Sequence, residues 1–287
     1  MNEHHYCLIC KSDNLKKIIG YEKAHLCKCK ECGFIFSKTI PSIEELQKYY
    51  DCYGRNDYLS PTTIKRYNEL LDKFEVYRKT GRLLDVGCGA GYFLEVAKKR
   101  GWEVYGTEYS DYKVDVCKKK GINIKKGELN ANDYTSNFVD VITSFEVIEH
   151  INNPLEELTH FQKILRPGGL VYVTTPNFNS LLRYYLKDKY NIINYPEHLC
   201  YYSPKTLRKS FELNGFKTLK IETTGISLTR FKGTIARKRV SSDSEDEKIR
   251  NKIENKKSLQ LAKNGVNKML TLFGKGDSLK GWFIKVS

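Results

Sequence analysis

From Arg82 to Pro176 the chain repeats one rhythm, in which short β-rich runs are separated by helical segments. The runs are RLLDVG, WEVYGTE, INIKKG and FVDVITSF, and helical patterns cover Tyr92 to Arg100 and Ser110 to Lys119 between the first three. Parallel neighbours cannot be joined by a hairpin and need a crossover, so this alternation predicts right-handed βαβ units and a parallel sheet. Pro154 at a helix first turn, the stripe Leu155, Leu158, Phe161 and Leu165, the RPGG stop and the strand LVYVTTP extend the pattern. Upstream, Ile64, Tyr67, Leu71 and Phe74 mark a helix that stops near Thr80 and Gly81. Downstream, a helix from Pro204 to Asn214 and the strands FKTLKIETT and DSLKGWFIKVS follow an insertion rich in aromatics. The fold class is α/β.

The first strand runs into a turn with glycines at Gly87, Gly89 and Gly91, one position tighter than the dinucleotide fingerprint. Between a strand and a helix N-terminus, glycines let bare backbone approach a ligand. Two carboxylates sharpen that signal. Asp85 stands at the strand end, where its charge would repel a pyrophosphate. Glu108 ends the second strand 17 residues past Gly91, where an acid can take both hydroxyls of a ribose. A nucleoside carrying an amine and a sulfonium suits this pair of acids better than a dinucleotide does.

Cys7-x2-Cys10 and Cys29-x2-Cys32, with 18 residues between the pairs, have the spacing of a tetrahedral four-thiolate site. Each pair lets a tight turn aim two sulfurs at one ion, and Gly33 suits such a turn. Four thiolates leave no open coordination position, so the ion is expected to be structural zinc. Iron also suits these donors, and Cys27 or His25 lies near enough in sequence to replace Cys29. About 40 residues build little core, so metal binding is expected to supply their folding energy.

These features divide the chain into a zinc-binding knuckle at 1–40, a Tyr-rich connector at 41–61 and an α/β domain at 62–287, with an insertion at 177–203 and a helical, basic segment at 230–275. In that segment Ile249, Ile253, Val266, Met269 and Phe273 form a ragged apolar stripe interrupted by Gly265. The formal charge is +15, and from Arg230 onward 15 basic residues face 6 acidic ones, a balance that attracts polyanions without selecting one. No run reaches the ~20 apolar residues of a membrane span, and MNEHHYCLIC lacks the basic and apolar blocks of an export signal. A cytoplasmic location is expected, with the nine cysteines as thiols or metal ligands and not as disulfides.

LLDVGCGAG, the TEYS acid loop, DVITSFEVIEHI and ILRPGGLVYVTTPN occur in this order, and together they resemble class I S-adenosylmethionine-dependent methyltransferases, especially the branch with ubiquinone-type and sugar O-methyltransferases. The likeness covers roughly Arg82 to Thr224, and the four-Cys knuckle ahead of it is similar to that of members in surface-polysaccharide and natural-product pathways. The resemblance implies a Rossmann-like seven-stranded sheet, mostly parallel with the last strand antiparallel, and a small zinc-ribbon-like appendage. It implies that Asp85, Gly87, Gly89 and Gly91 line the methionine part of S-adenosylmethionine, that Glu108 holds the ribose and that Glu128 and Leu129 flank the adenine. Phe145 and Glu146 are implied to face the sulfonium side. Position 108 is Glu where the family more often has Asp, and Val139 is inserted where it usually reads Phe-Asp; neither change removes a needed group.

Methyl transfer is an in-line displacement, so alignment of sulfur, methyl and nucleophile matters most. A hydroxyl acceptor must also lose a proton, and an imidazole near neutral pKa suits that work. His150 in VIEHI and His198 in YPEHLCYYS are the candidate bases, both in loops at the carboxyl ends of strands, where open parallel sheets bind ligands. Alternatively Glu146, Glu149 and His150, at the i, i+3, i+4 spacing of one helical face, offer a divalent-ion site for a diol acceptor. His4, His5, His25 and His160 have no assigned role. Tyr49, Tyr50, Tyr53 and Tyr58 in the connector are candidates to cover a sulfonium with aromatic faces. The Asn/Asp-Pro-Pro-Tyr/Phe element of many amide and nucleobase N-methyltransferases is missing where SFEVIEH stands. The expected activity is O-methylation of a small molecule such as a nucleotide-linked sugar or glycan precursor. Two other classes stay open: a methyltransferase for RNA or another macromolecule docked on the basic surface, and a non-catalytic cofactor-binding zinc module.

Overall fold

The computed structural model describes residues 2–42, 44–46, 59–226 and 256–286. Its first strands are short: β1 (Asn2–Glu3), β2 (Leu15–Lys17), β3 (Leu26–Cys29), β4 (Ile35–Ser37) and β5 (Thr39–Ile40). β1 pairs with β5, while β2, β3 and β4 are neighbours in an antiparallel sheet. Helix α1 (Pro61–Phe74) follows, started by proline at its first position and by Ser60, whose hydroxyl accepts the Thr63 N–H.

Then come β6 (Arg82–Val86), α2 (Tyr92–Lys99), β7 (Glu103–Glu108), α3 (Asp111–Lys119), β8 (Asn123–Lys126), β9 (Val139–Phe145), α4 (Pro154–Ile164) and β10 (Leu165–Pro176). The insertion holds α5 (Leu181–Leu186) and β11 (Cys200–Tyr201). The chain ends with α6 (Pro204–Glu212), β12 (Phe216–Thr224), α7 (Lys257–Phe273) and β13 (Ser278–Lys285).

Seven strands make the main sheet, in the order β12-β13-β10-β9-β6-β7-β8, and β13 alone runs antiparallel to its neighbours. The expected Rossmann-like sheet with an antiparallel last strand is therefore present. From β6 the chain steps one way to β7 and β8, then returns to the other side of β6 with β9. This reversal opens a crevice at the carboxyl ends of β6 and β9, the place where open α/β sheets take ligands. Leu83 and Leu84 are fully buried on opposite faces of β6, one beside Phe74, Phe93 and Trp102, the other beside Leu158 and Phe161. Each such side chain contributes about 1.5–3 kcal/mol by its burial.

Two expectations are corrected. RPGG does not separate α4 from the next strand but lies within β10 as a register irregularity between the pairs Leu165↔Val139 and Leu170↔Val141. The reason is an anchor: Arg166 Nε lies 2.5 Å from Oδ1 of buried Asp140, whose Oδ2 accepts the N–H groups of Lys79, Thr80 and Gly81 at 2.8, 2.7 and 2.8 Å. Burial alone would push the Asp140 carboxyl up, yet these partners hold it below its ordinary value. In α7 the stripe Val266, Met269 and Phe273 is exposed and the helix runs through Gly265 unbroken. Leu270 is the buried residue there, beside Thr223, whose hydroxyl donates to the Leu270 carbonyl at 2.6 Å. Ile249 and Ile253 lie outside the described residues, as do Tyr49, Tyr50, Tyr53 and Tyr58.

The amino-terminal unit has the expected small sheet around its cysteine cluster, and the insertion completes that sheet. β11 of the insertion pairs with β4, so the small sheet has the order β11-β4-β3-β2. Cys7, Leu8, Phe34 and Phe36 share one buried cluster with Tyr202 and Leu207. Among the described residues no helix is long and apolar enough to cross a membrane.

Candidate active site and metal centre

The glycine turn leaves β6 and enters α2. Gly87, Gly89 and Gly91 all have positive φ, +67°, +57° and +71°, a region that side chains disfavour. Their surroundings differ. A Cβ at Gly87 would lie 2.6 Å from Val147 Cγ2, and one at Gly91 would lie 2.6 Å from Ile122 Cδ1 and 2.8 Å from Cys117 Sγ. At Gly89 it would meet nothing within 4 Å, so this is where the turn shows bare backbone to open space. The Gly89 N–H donates to Glu108 Oε2 at 2.9 Å, while Glu108 Oε1 accepts the Ser110 N–H, also at 2.9 Å. The acid at the end of β7 thus braces the turn and remains half-buried beside it.

Asp85 is buried and accepts the Thr143 hydroxyl at 2.7 Å, its cross-strand partner on β9. Burial pushes its carboxyl up to about 8, against the effect of that hydroxyl and with further upward pressure from Cys117 and Glu108. Leu129 is buried and Glu128 exposed just past β8, where the Gly127 N–H ties that edge to the Glu108 carbonyl at 2.9 Å. The Phe145 ring packs on Phe93, in the first turn of α2, with centroids 5.0 Å apart. Glu146 sits at φ +54°, uncommon for a residue with a side chain.

That backbone corrects the helical spacing assumed for Glu146, Glu149 and His150, since residues 146–150 form a turn and no helix. The structure gathers Glu149, His150 and His198 instead, with ligand atoms that all lie within 4.8 Å of one another. The two imidazoles meet edge to face at 4.8 Å, and His150 Nε2 is 4.0 Å from Glu149 Oε1. His150 Nδ1 contacts the Glu197 carbonyl at 2.7 Å and His198 Nδ1 the Ile192 carbonyl at 2.8 Å. A carbonyl can only accept, so each Nδ1 carries the hydrogen and each Nε2 the lone pair of the neutral ring. Burial lowers the His150 pKa, which keeps that ring neutral. Glu149 is buried, with Oε2 accepting the Thr175 hydroxyl at 2.9 Å.

Cys7, Cys10, Cys29 and Cys32 converge, with Sγ separations of 3.4 Å for Cys7–Cys32 and 3.5 Å for Cys10–Cys29. Sulfurs each about 2.3 Å from one ion lie about 3.8 Å apart in a tetrahedron, so the donor set and its size fit zinc. Cys27 is buried on β3 outside this group, and His25 is likewise apart from it. The expected Gly33 turn is present, with φ +80° and its N–H on the Cys29 carbonyl at 2.9 Å. The first knuckle makes the same turn with Lys11, φ +59°, which no glycine announces.

Sequence reasoning missed Thr143, Thr175, Val147, Cys117 and Ile122, all neutral residues without a motif of their own. For Thr143 the strand register opposite Asp85 is the one usable signal. His4 also has a part, since its Nε2 lies 2.7 Å from Asn152 Oδ1.

A sheet of this order, with a glycine turn after β6 and acids at the ends of β6 and β7, defines a class I methyltransferase fold. A SAM-dependent methyltransferase from Archaeoglobus fulgidus superimposes with a TM-score of 0.53 at 22% identity, covering 77% of this chain and 92% of that one. Phosphoethanolamine N-methyltransferase 2 of Haemonchus contortus, solved in complex with S-adenosyl-L-methionine, does so at 0.51 and 18%, covering 88% and 62%. The methyltransferase-domain family matches residues 56–221, more than half of the chain, and the chain belongs to that family. The ubiquinone biosynthesis O-methyltransferase of Saccharophagus degradans is 28% identical over 151 residues, which are 50% of this chain and 63% of that protein. The chain thus spans under two thirds of that relative's length.

Proposed function

We propose that the protein transfers a methyl group from S-adenosylmethionine to a hydroxyl of a small molecule. The observation that carries this reading is the open face of Gly89 between Asp85 and Glu108, a cradle of bare backbone flanked by two acids. When bound, S-adenosylmethionine supplies a methyl activated by a sulfonium. Asp85, Gly87, Gly89 and Gly91 hold the methionine part, Glu108 takes the ribose hydroxyls, and Glu128 and Leu129 border the adenine. Phe145 and Glu146 face the sulfonium side. A buried, protonated Asp85 ionises beside a cation, so its raised pKa supports a cationic ligand.

His198 or His150 accepts the proton of the acceptor hydroxyl on Nε2. Both rings have their Nδ1 hydrogen on a backbone carbonyl, the orientation a general base requires. The insertion, which carries His198, is the acceptor side: the His198 N–H donates to the Asn194 carbonyl at 2.7 Å, and Asn194 with Tyr21, Lys23, Asp188 and Tyr195 lines a cavity of about 270 Å³ that neither histidine lines. Aromatic faces beside charged and amide groups suit a sugar or a nucleotide-linked sugar.

A second reading has one observation in its favour. Glu149, His150 and His198 converge as two imidazoles and a carboxylate would around a divalent ion that orients a diol. Methyl-labelled S-adenosylmethionine offered with sugar nucleotides, with catechol-type phenols and with RNA tests the class. Label on a sugar or phenol supports the proposal, whereas label on RNA alone overturns the small-molecule acceptor. If both His198→Ala and His150→Ala methylate at the wild-type rate, the base reading is wrong. A rate that rises with added magnesium or manganese and is abolished by chelation, with the four-Cys ion retained, favours the second reading.

A further inference from the structure

We infer that the four-Cys knuckle is the element that positions His198 and His150, through the strand β4 that it lends to the insertion. β11 has two residues, Cys200 and Tyr201, too few to hold a sheet position alone. One edge of this segment is bound to β4, with Cys200 opposite Phe36, Tyr201 opposite Ile35 and the Ser37 N–H on the Leu199 carbonyl at 2.8 Å. Its other edge is bound to the turn after β9, because the Leu199 and Cys200 N–H groups both donate to the Glu149 carbonyl, at 2.8 and 2.9 Å. Cys200 Sγ also reaches the Ile151 carbonyl at 3.3 Å.

His198 directly precedes this segment and His150 directly follows Glu149, so the segment is the spacer between the two imidazoles. β4 begins at the second knuckle, where the Phe34 N–H donates to Cys32 Sγ at 3.4 Å. Phe34 and Tyr202 then meet with ring centroids 5.1 Å apart, and His4, directly after β1, reaches Asn152. An unbroken series of covalent and hydrogen bonds therefore runs from the cysteine cluster through β4 and Leu199–Tyr201 to both histidines. The glycine turn is outside this series. It rests on Ile122, Cys117 and Glu108, and it meets the turn after β9 at Val147, ahead of the Glu149 carbonyl where the series enters.

The experiment removes the ion from the full chain with a chelator under reducing conditions and compares holo, metal-free and zinc-restored protein. Hydrogen exchange of 192–201 and 149–152 should become at least about tenfold faster, a response to about 1.4 kcal/mol of lost local stability. The imidazole nitrogen resonances of His198 and His150 should lose their folded positions. Binding of S-adenosylmethionine by calorimetry should stay within about twofold, and zinc should restore every signal. Unchanged exchange and unchanged imidazole resonances in verified metal-free protein overturn the inference.

Should ion removal unfold the whole chain, Ser37→Pro decides. It deletes the N–H that holds Leu199 and leaves the four thiols in place. Loss of the imidazole positions with the ion still bound supports the inference, and their retention overturns it. The effect on turnover, but not on position, rests on the proposed O-methyl transfer: if the histidines shift as expected while His198→Ala and His150→Ala remain fully active, only the base reading fails.

Discussion

Replacing Asp85 with Asn separates what this carboxyl costs the empty protein from what it contributes to a ligand. Burial is the main cause that pushes Asp85 up to about 8. An ordinary Asp in the unfolded chain ionises at about 3.9. Between those values the folded protein holds a proton that the unfolded chain has released. A raised acid gives stability that is fully present below the unfolded pKa and is lost as pH rises through the folded one. At 1.36 kcal/mol per pKa unit, the loss between about pH 6 and about pH 9 is about 2 to 3 kcal/mol as an upper figure. Asn keeps the acceptor for the Thr143 hydroxyl and has no proton to lose.

Urea unfolding of both proteins without cofactor, across that pH range, measures the effect. Glu157 is a second acid that burial pushes up to about 8, and the difference between the two curves cancels its share. The two proteins converge in stability only below about pH 4, the unfolded pKa, and between about pH 6 and about pH 9 the advantage of Asp85→Asn should grow by about a further 2 to 3 kcal/mol. The same substitution should weaken S-adenosylmethionine binding at the upper pH, where a negative partner for a cation has been removed. Parallel stability curves would refute the assignment of a buried, protonated Asp85.

The glycines of the turn should respond unequally. In Gly89→Ala the new methyl meets nothing within 4 Å, so stability should fall by only the roughly 1–2 kcal/mol of left-handed strain, while calorimetry should show cofactor affinity reduced at least about tenfold. Wild-type affinity there would remove the cradle. Gly91→Ala drives its methyl to 2.6 Å from Ile122 and should cost about 2–5 kcal/mol in a urea melt. Arg166→Ala leaves the buried Asp140 carboxylate without its cation, an expected loss of about 3 kcal/mol by the same assay, with cofactor affinity unchanged because the pair lies at the opposite end of β9 from the glycine turn.

Features set by near neighbours in the chain were legible. A knuckle is made by cysteines two residues apart, a strand or helix by a period of two or 3.6 residues, and a glycine turn by the residues that flank it. The same local reasoning failed where it borrowed a geometry the backbone does not adopt. Helical spacing joined Glu146 to Glu149 and His150, but Glu146 at φ +54° leads into a turn that leaves it out of the group. The stripe of α7 has the right period yet is exposed, because a period says which residues share a face and not what lies against it.

By itself, then, the sequence determined the α/β rhythm, the glycine turn with its two acids, the four thiol ligands and both imidazoles. Only the tertiary structure decided that those imidazoles share a site, that Thr143 lies against Asp85, and that the knuckle takes its fourth strand from the insertion. Each of these depends on where a strand is laid in a sheet after the chain has turned back on itself. Such pairings join segments far apart in sequence, and no local propensity encodes which edge a two-residue strand will find.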